Sequence, residues 1–475
     1  MSRGLPLLIQ GGMGVGVSGW PLAKVVSEAG HLGVVSGTAL DTVMVRRLQL
    51  GDVGGHVRRA LAAFPVPKAA ERILARYFVA GGKDADQRFK MTSMKRDKPS
   101  RNLEDLIVAA NFVEVFLAKE GHSGQVGINY LEKLQAPTLP SLYGAMLAGV
   151  DYVLMGAGIP RSIPAVLDGL AQGIAVKLKL DVKGAERDDD FSARFDPREI
   201  MKGLVSKVAR PMFLAIVSSH VLAVMLARKT EVPVDGFIVE APTAGGHNAP
   251  PRGKTQLNEA GEPIYGDRDV PDLSVIHELG LPFWLAGGYS EPEQIREALE
   301  LGATGVQVGT PFAYCEESGF DPDVKRRVLE LSRRAGVRVS TDPLASPSGF
   351  PFKVVQVEGT LSESDVYETR TRICDSGYLR TAYREAEGRI GWRCPAEPVD
   401  DYVAKGGELG DTVGRKCLCN ALAASVGLGQ IQRQGDPEPT IITSGDAVTD
   451  VARFLPADVD SYTALDVIHH LLPDG

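Results

Sequence analysis

The segment from residue 281 to residue 318 constrains the fold more than any other part of the chain. A short apolar run ends at Gly287 and Gly288, a helical pattern follows, and a second apolar run ends at Gly309 and Thr310. This order predicts a strand, a helix and a second strand, with small residues where each strand ends. In (β/α)8 barrels the loops after the seventh and eighth strands commonly bind phosphate through backbone N–H groups. The segment therefore predicts the last two strands of such a barrel, because only glycine lets an anion approach the backbone that closely.

Apolar β-type runs alternate with helical patterns along the first 340 residues. Because the strands lack a polar face, the alternation predicts a parallel sheet with helical crossovers, and hence an α/β fold, a (β/α)8 TIM barrel. Nine strands are predicted, one too many for a barrel, and the surplus is explained if the fifth and sixth flank an insertion. The nine are Leu7 to Gln10, Leu32 to Val35, Gln125 to Tyr130, Tyr152 to Met155, Ile174 to Leu180, Met212 to Val217, Gly236 to Val239, Phe283 to Leu285 and Gly305 to Val308.

Two insertions and an extension complete the predicted organisation. Residues 1–340 are expected to form the barrel, interrupted at about residues 65–101 and 181–210. The alternation ends near Ser340, so residues 341–475 are expected to form a C-terminal extension with one strand, Phe352 to Glu358, and helices late in the chain. The apolar stretches of the extension are short, which favours packing on the barrel wall over an independent fold.

Composition excludes several classes of function. The net charge of −8 and the absence of a basic stripe argue against nucleic acid as the main partner, so we expect a small-molecule substrate. The first apolar run is too short for a signal peptide, and no run approaches the ~18 uninterrupted apolar residues of a membrane span. We therefore expect a cytoplasmic protein without a membrane segment, and a homodimer is compatible with the sequence.

A dinucleotide-binding fold is the alternative for the N-terminus. Gly14, Gly16 and Gly19 follow a predicted strand and precede a helical pattern, which formally matches the glycine fingerprint. The second strand, however, runs into Ser-Gly-Thr at residues 36–38, and not into the acidic residue that would bind a ribose. We prefer a glycine-rich first loop lying over a planar cofactor.

His247 is the residue best suited to proton chemistry. The strand Gly236 to Val239 ends at Glu240, and His247 follows Gly245 and Gly246 on the next loop, where barrel enzymes keep their catalytic groups. An imidazole there can take or give a proton near neutral pH. A loop histidine that only caps or packs fits the position alone equally well.

The five cysteines are expected to be reduced thiols or metal ligands, since the sequence has no secretory context. Four of them, Cys374, Cys394, Cys417 and Cys419, lie in the extension, and four thiolates can hold a zinc ion or an iron–sulfur cluster. The sequence has no Cys-x-x-Cys pair, however, and two ligands spaced as Cys417 and Cys419 suit one tetrahedral ion poorly. Buried thiols without a metal are the preferred interpretation, and Cys315 is expected in the core.

Several motifs resemble the flavin-dependent nitronate monooxygenase (2-nitropropane dioxygenase) family. The superfamily also holds flavin-dependent enoyl-acyl carrier protein reductases. The resemblance runs in order from about residue 5 to residue 320 and does not cover the last ~130 residues well. The motifs are IQGGMG at residues 9–14, VGINYLEKL at 126–134, VEAPTAGGH at 239–247, LAGGYS at 285–290 and GVQVGTPFAYCEES at 305–318.

The resemblance implies a (β/α)8 barrel that binds FMN at the C-terminal ends of its strands, with oxygen or NAD(P)H as co-substrate. It places the isoalloxazine ring beside Gly11, Gly12 and Met13 and gives Asn129 a hydrogen bond to the flavin. His247 matches the catalytic histidine of the family. The ribityl phosphate would be held by Gly245, Gly246, Gly287, Gly288, Gly309 and Thr310, with Gln307 close by.

The chain departs from the family at Glu240, where the family often has glutamine. A carboxylate beside the flavin would disfavour its anionic reduced forms unless the carboxyl is protonated or turned away.

Two reactions remain open, and His247 serves both. One is the oxidation of alkyl nitronates by oxygen, in which His247 deprotonates the neutral nitroalkane or orients the anion. The other is the NAD(P)H-dependent reduction of enoyl-acyl or related conjugated carbonyl substrates, in which His247 protonates the α-carbon. The AGGH and GVQVGTPF motifs favour the first reaction, and the large insertions favour the second. A barrel that binds FMN or a metabolite without turnover is a third hypothesis.

Overall fold

Eight parallel strands close into a barrel in the computed structural model, which describes residues 4–201, 207–432, 435–456 and 459–473. Each of the eight strands pairs with the barrel strand that follows it along the chain, and β1 closes the barrel by pairing with both β2 and β8. The predicted (β/α)8 TIM barrel is therefore confirmed. The barrel strands are β1 (Leu8–Gln10), β2 (Leu32–Ser36), β3 (Val126–Leu131), β4 (Tyr152–Gly156), β5 (Met212–Val217), β6 (Gly236–Glu240), β7 (Phe283–Ala286) and β8 (Gly305–Val308).

The surplus predicted strand lies outside the barrel. Residues of the predicted Ile174 to Leu180 form the strand Val176–Lys179, which pairs antiparallel with Ser192–Phe195. The chain then enters the barrel as β5, after the segment predicted as the second insertion. Residues 202–206 of that insertion lie outside the described residues, and the proposed domain bounds stay predictions.

Helices surround the barrel, and some of them begin at a side chain that caps the first turn. Ser100 and Ser219 accept hydrogen bonds from backbone N–H groups in the first turns of the two helices that follow them. The α-helices are Trp20–Glu28, Leu40–Gln49, His56–Ala63, Pro67–Tyr77, Arg101–Lys119, Gln135–Leu147, Ile163–Ala171, Pro197–Met201, His220–Arg228, Leu273–His277, Pro292–Glu300, Thr310–Ala313, Pro322–Arg333, Ser364–Thr369, Val399–Ala404, Leu418–Ala424 and Ala464–Leu471.

Alternation along the strands divides the core into two layers. In β7, Phe283 and Leu285 face outward and pack among side chains from the surrounding helices, whereas Trp284 and Ala286 face inward. The inward cluster is apolar, and Trp284 is fully buried within it. Its indole N–H donates to the carbonyl oxygen of Pro6 at 2.7 Å. The barrel interior is thus a packed plug and not a channel.

The extension is built from short elements that reach back onto the barrel. Val339–Asp342 pairs antiparallel with Phe352–Val355, which are the first four residues of the predicted strand Phe352 to Glu358. A hairpin of Thr381–Arg384 and Ile390–Arg393 is extended in parallel by Val182–Lys183 of the second insertion. The second insertion and the extension therefore share one small sheet.

Within the described ranges, the structure has no helix that combines the length and the apolarity needed to cross a membrane. The cytoplasmic location and the homodimer stay predictions.

Candidate functional site

A cavity of about 200 Å³ opens above the C-terminal ends of the barrel strands. A single water molecule needs about 10–15 Å³ of such space, so the cavity has room for a large organic ligand. This is the end of the barrel at which enzymes of this fold keep their active sites.

Inward side chains from the last positions of the strands form the floor of this cavity. Because alternation points every second residue inward, Asn129 of β3, Glu240 of β6 and Gln307 of β8 stand on the same layer. The register supports this, since Ala286 lies opposite both Glu240 and Gln307 on its two neighbouring strands. The other members of the layer are small or apolar: Gly11, Ser36, Gly156, Ile216 and Ala286.

Two amide oxygens on the floor have no hydrogen-bond partner. Among the described residues, nothing donates to Oδ1 of Asn129 or to Oε1 of Gln307, and both atoms are buried. An unsatisfied buried acceptor costs about 1–3 kcal/mol. The pyrimidine edge of a flavin carries an N–H group that could donate to such an oxygen, and it has carbonyl groups that could accept from the amide nitrogens. The floor therefore fits a flavin.

Glycines form much of the rim and leave space over the floor. A β-carbon on Gly246 would meet no heavy atom within 4 Å, and one on Gly288 would meet only Thr243 at 3.8 Å. Both have positive φ, 79° and 98°, which other residues rarely adopt. A β-carbon on Gly12, by contrast, would lie 2.4 Å from the β-carbon of Asn129, so glycine is required there by packing.

All the residues that the sequence assigned to cofactor or catalysis line this one cavity, although the role of each stays a prediction. They are Gly11, Gly12, Met13, Asn129, Glu240, Gly245, Gly246, His247, Gly287, Gly288, Gln307, Gly309 and Thr310.

The extension supplies part of the cavity wall, which the sequence did not predict. Thr443 Oγ1 accepts a hydrogen bond from the Gly246 N–H at 3.0 Å, and Thr310 Oγ1 accepts one from the Gly445 N–H at 3.0 Å. A phosphate at this end would therefore meet Thr443 and Ser444 as well as the predicted glycines. The sequence signal was the Thr-Ser-Gly run at residues 443–445 just before a helical pattern.

His247 is fixed by two residues of the extension. Its Nε2 lies 2.7 Å from Oγ of Ser346, and its ring meets the edge of Phe352 with centroids 4.9 Å apart. Burial lowers the pKa of His247 to about 4, because charging the imidazole in this setting costs solvation energy. The imidazole is therefore neutral at physiological pH and acts there as a hydrogen-bonding group or a weak base.

Glu240 is shifted in the opposite sense. It ends β6 with its carboxyl on the cavity floor, and the described lining residues include neither lysine nor arginine. Burial raises the pKa of Glu240 to about 7. Below pH 7 this carboxyl is mostly neutral and resembles the amide of the glutamine that is frequent in the family. The replacement of that glutamine by Glu240 therefore adds little negative charge beside the cofactor site at such pH.

The shift of Glu240 predicts a pH-dependent stability. Its pKa rises from 4.5 in the unfolded chain to about 7 in the folded protein, so ionisation favours unfolding between these values. Because glutamine does not ionise, we expect Glu240→Gln to remove this effect. The gain in the free energy of unfolding of the variant over the unchanged protein should be about 3 kcal/mol larger at pH 8 than at pH 4. Urea unfolding at both pH values measures it, and the exposed Glu278→Gln is the control. An equal effect of Glu240→Gln at both pH values would contradict the assigned shift.

The four cysteines of the extension gather around a separate small cavity. Cys394 and Cys417 are buried, and Cys374 and Cys419 are half-buried beside them. Burial raises the pKa of each thiol, that of Cys374 to about 12, which favours protonated thiols. Among the described residues, no group of three or more His, Cys, Asp or Glu side chains is arranged to hold a metal ion. Cys315 is buried, as predicted.

Comparison with known proteins supports the resemblance. Residues 170–342 match the family model for nitronate monooxygenase. The probable nitronate monooxygenase of Bacillus subtilis is 28% identical over 214 residues, 44% of this chain and 54% of the relative. The (3aS,4S,5R,7aS)-5-hydroxy-7a-methyl-1-oxo-octahydro-1H-indene-4-carboxyl-CoA dehydrogenase of Mycobacterium tuberculosis is 27% identical over 231 residues, 45% of this chain and 60% of the relative. The chain therefore spans little more than half the length of these relatives.

Among solved structures similar over almost the whole chain is the nitroalkane oxidase from Streptomyces ansochromogenes, with 16% identity, a TM-score of 0.46 and coverage of 99% of this chain and 95% of that chain.

Proposed function

We propose that this chain, which carries a match to the nitronate monooxygenase family, is an FMN-dependent oxidoreductase that oxidises alkyl nitronates with oxygen. The observation that supports the proposal most is the pair of unpartnered amide oxygens on the cavity floor, Asn129 Oδ1 and Gln307 Oε1. They lie where this fold binds its ligands, under a rim poor in side chains.

Different residues of the site would bind the ring and the phosphate of FMN. Asn129 and Gln307 would hydrogen-bond the ring, and Gly11, Gly12 and Met13 would lie beside it. The hydroxyl groups of Thr310, Thr443 and Ser444, with the backbone of the glycine corners, would meet the phosphate. When bound, FMN would take electrons from the substrate and pass them to oxygen.

The substrate would be oriented by hydrogen bonds and not by an ion pair. An alkyl nitronate is an anion, and no lysine or arginine lies among the described residues that line the cavity. The neutral imidazole of His247 can donate one hydrogen bond to a nitro oxygen, and Ser346 restricts the rotation of the ring. We propose that His247 in this way holds the reacting carbon against the cofactor.

Oxygen uptake with propionate-3-nitronate tests the proposal. We expect rapid, substrate-dependent uptake by the yellow protein and no response to NADPH. Flavin that is bleached anaerobically by NADPH, but not by the nitronate, would contradict the proposal and favour the reductase.

The reductase is the second candidate, and two observations favour it. One of the relatives is named as a dehydrogenase of an acyl-CoA compound. The cavity also holds a carboxyl, Glu240, whose pKa of about 7 suits a proton donor to the α-carbon of a conjugated acyl substrate. Reoxidation of NADPH-reduced flavin by crotonyl-CoA without oxygen would support this candidate, and no reoxidation would reject it.

A further inference from the structure

Glu240 stands between two cavities. Besides the central cavity, it lines a smaller one of about 30 Å³, together with Arg252, Tyr265 and Asp269 of the segment between β6 and β7. This space can hold about two waters, since one water needs about 10–15 Å³. Water there would find polar partners, because Oδ1 of Asn248, a residue that is 1% exposed and lines the same space, has no partner among the described residues.

The carboxyl of Glu240 has no fixed partner on either side. Among the described residues, no side chain makes a hydrogen bond or an ion pair with it, and it is half-buried between these cavities. The ionisable groups that face it across the central cavity are His247, Tyr130 and Tyr289. Those of the smaller cavity are Arg252, Tyr265 and Asp269. An unpaired carboxyl between a substrate cavity and a space with room for water is placed to move protons from one to the other.

We propose that Glu240 is a second catalytic residue, which takes a proton from a neutral nitroalkane in the central cavity and returns it to water in the smaller cavity. This inference rests on the proposed function and assigns to Glu240 the deprotonation of neutral nitroalkanes, which the resemblance had left to His247. In the step, the carboxylate binds the proton of the carbon next to the nitro group. The C–H bond breaks, its electron pair forms the C=N bond of the nitronate, and a nitro oxygen takes the negative charge. The carboxylic acid then releases the proton to water.

The two ionisable groups therefore have different tasks. His247 is held by Ser346 and stays neutral, which suits orientation of the substrate. Glu240 changes its protonation near pH 7, which suits transfer of a proton. Because the nitronate is already deprotonated, the proton transfer to Glu240 is needed only for the neutral nitroalkane.

Paired assays of Glu240→Gln with nitroethane and with ethyl nitronate test the inference. We expect kcat/KM for nitroethane to rise with pH up to about pH 7 in the unchanged protein. In Glu240→Gln we expect the ratio of kcat/KM for nitroethane to kcat/KM for ethyl nitronate to fall by about 100-fold or more. Glu278→Gln, which changes an exposed glutamate, should match the unchanged protein with both substrates.

Infrared spectroscopy gives a second readout that does not depend on turnover. We expect the spectrum of the unchanged protein minus that of Glu240→Gln to show a carboxylic acid C=O band that disappears near pH 7. A band already absent at pH 6 would overturn the inference. Two further results would overturn the inference while the protein still oxidises ethyl nitronate. One is nitroethane turnover that Glu240→Gln leaves unchanged, and the other is no nitroethane turnover by the unchanged protein. A protein inactive with both substrates would overturn the proposed function and this inference together.

Discussion

His247→Ala is expected to lower kcat/KM for alkyl nitronates by about 100- to 1000-fold, the range typical for the loss of a positioned proton-transfer or charge-stabilising group. The imidazole is the one nitrogen base among the described residues of the cavity lining, and its removal takes away the hydrogen bond proposed to orient the nitro group. Steady-state oxygen uptake measures the effect, with flavin content determined on the same samples.

Ser346→Ala is the matched variant for this prediction. It removes the hydroxyl that lies 2.7 Å from Nε2 of His247 but leaves the imidazole in place, so we expect a smaller loss, of about 10-fold or less. Activity of His247→Ala equal to that of the unchanged protein, at equal flavin content, would show that the histidine only packs.

Trp284→Ala is expected to lower the free energy of unfolding by about 3–5 kcal/mol. The indole is fully buried in the apolar plug under the cavity, where its removal leaves a void that the closed barrel cannot fill by relaxing. The change also leaves the carbonyl oxygen of Pro6 without its donor. Urea unfolding followed by circular dichroism measures the loss.

Trp284→Phe separates the two contributions. Because it keeps an aromatic ring in the plug and removes the N–H donor, we expect a smaller loss of about 1–2 kcal/mol. A loss for Trp284→Ala no larger than that for Trp284→Phe would contradict the view that packing in the barrel interior dominates.

The barrel was predictable because its signal is local. Each barrel strand is a short apolar run, and small residues follow most of these runs. The segment Ile174 to Leu180 resembled such a run, but it contains Lys177 and Lys179 at alternate positions, and both are exposed in the outer hairpin. Alternation of this kind is typical of a half-exposed antiparallel strand, so the sequence did contain the distinction.

The floor of the cavity also follows from the sequence, once the barrel is accepted. Asn129, Glu240 and Gln307 occupy inward positions of their strands, and the resemblance named all three.

The contribution of the extension did not follow from the sequence. Ser346, Phe352 and Thr443 contact residues about 100 to 200 positions earlier in the chain, and no periodic pattern reports such contacts. The shifts in the pKa of Glu240 and of His247 could not be predicted from the sequence either, because each depends on the burial of the side chain in the folded protein. The meeting of four cysteines from three separate segments is a further long-range contact of this kind.

Flavin content tests the central claim most directly, namely that the cavity above the barrel strands holds FMN. The absorbance spectrum of the purified protein, followed by analysis of the cofactor released on denaturation, should show oxidised flavin and one FMN for each chain. The double variant Asn129→Leu, Gln307→Leu should be folded but depleted of flavin, since it removes both unpartnered amide oxygens. A colourless wild-type protein that does not bind added FMN would contradict the account.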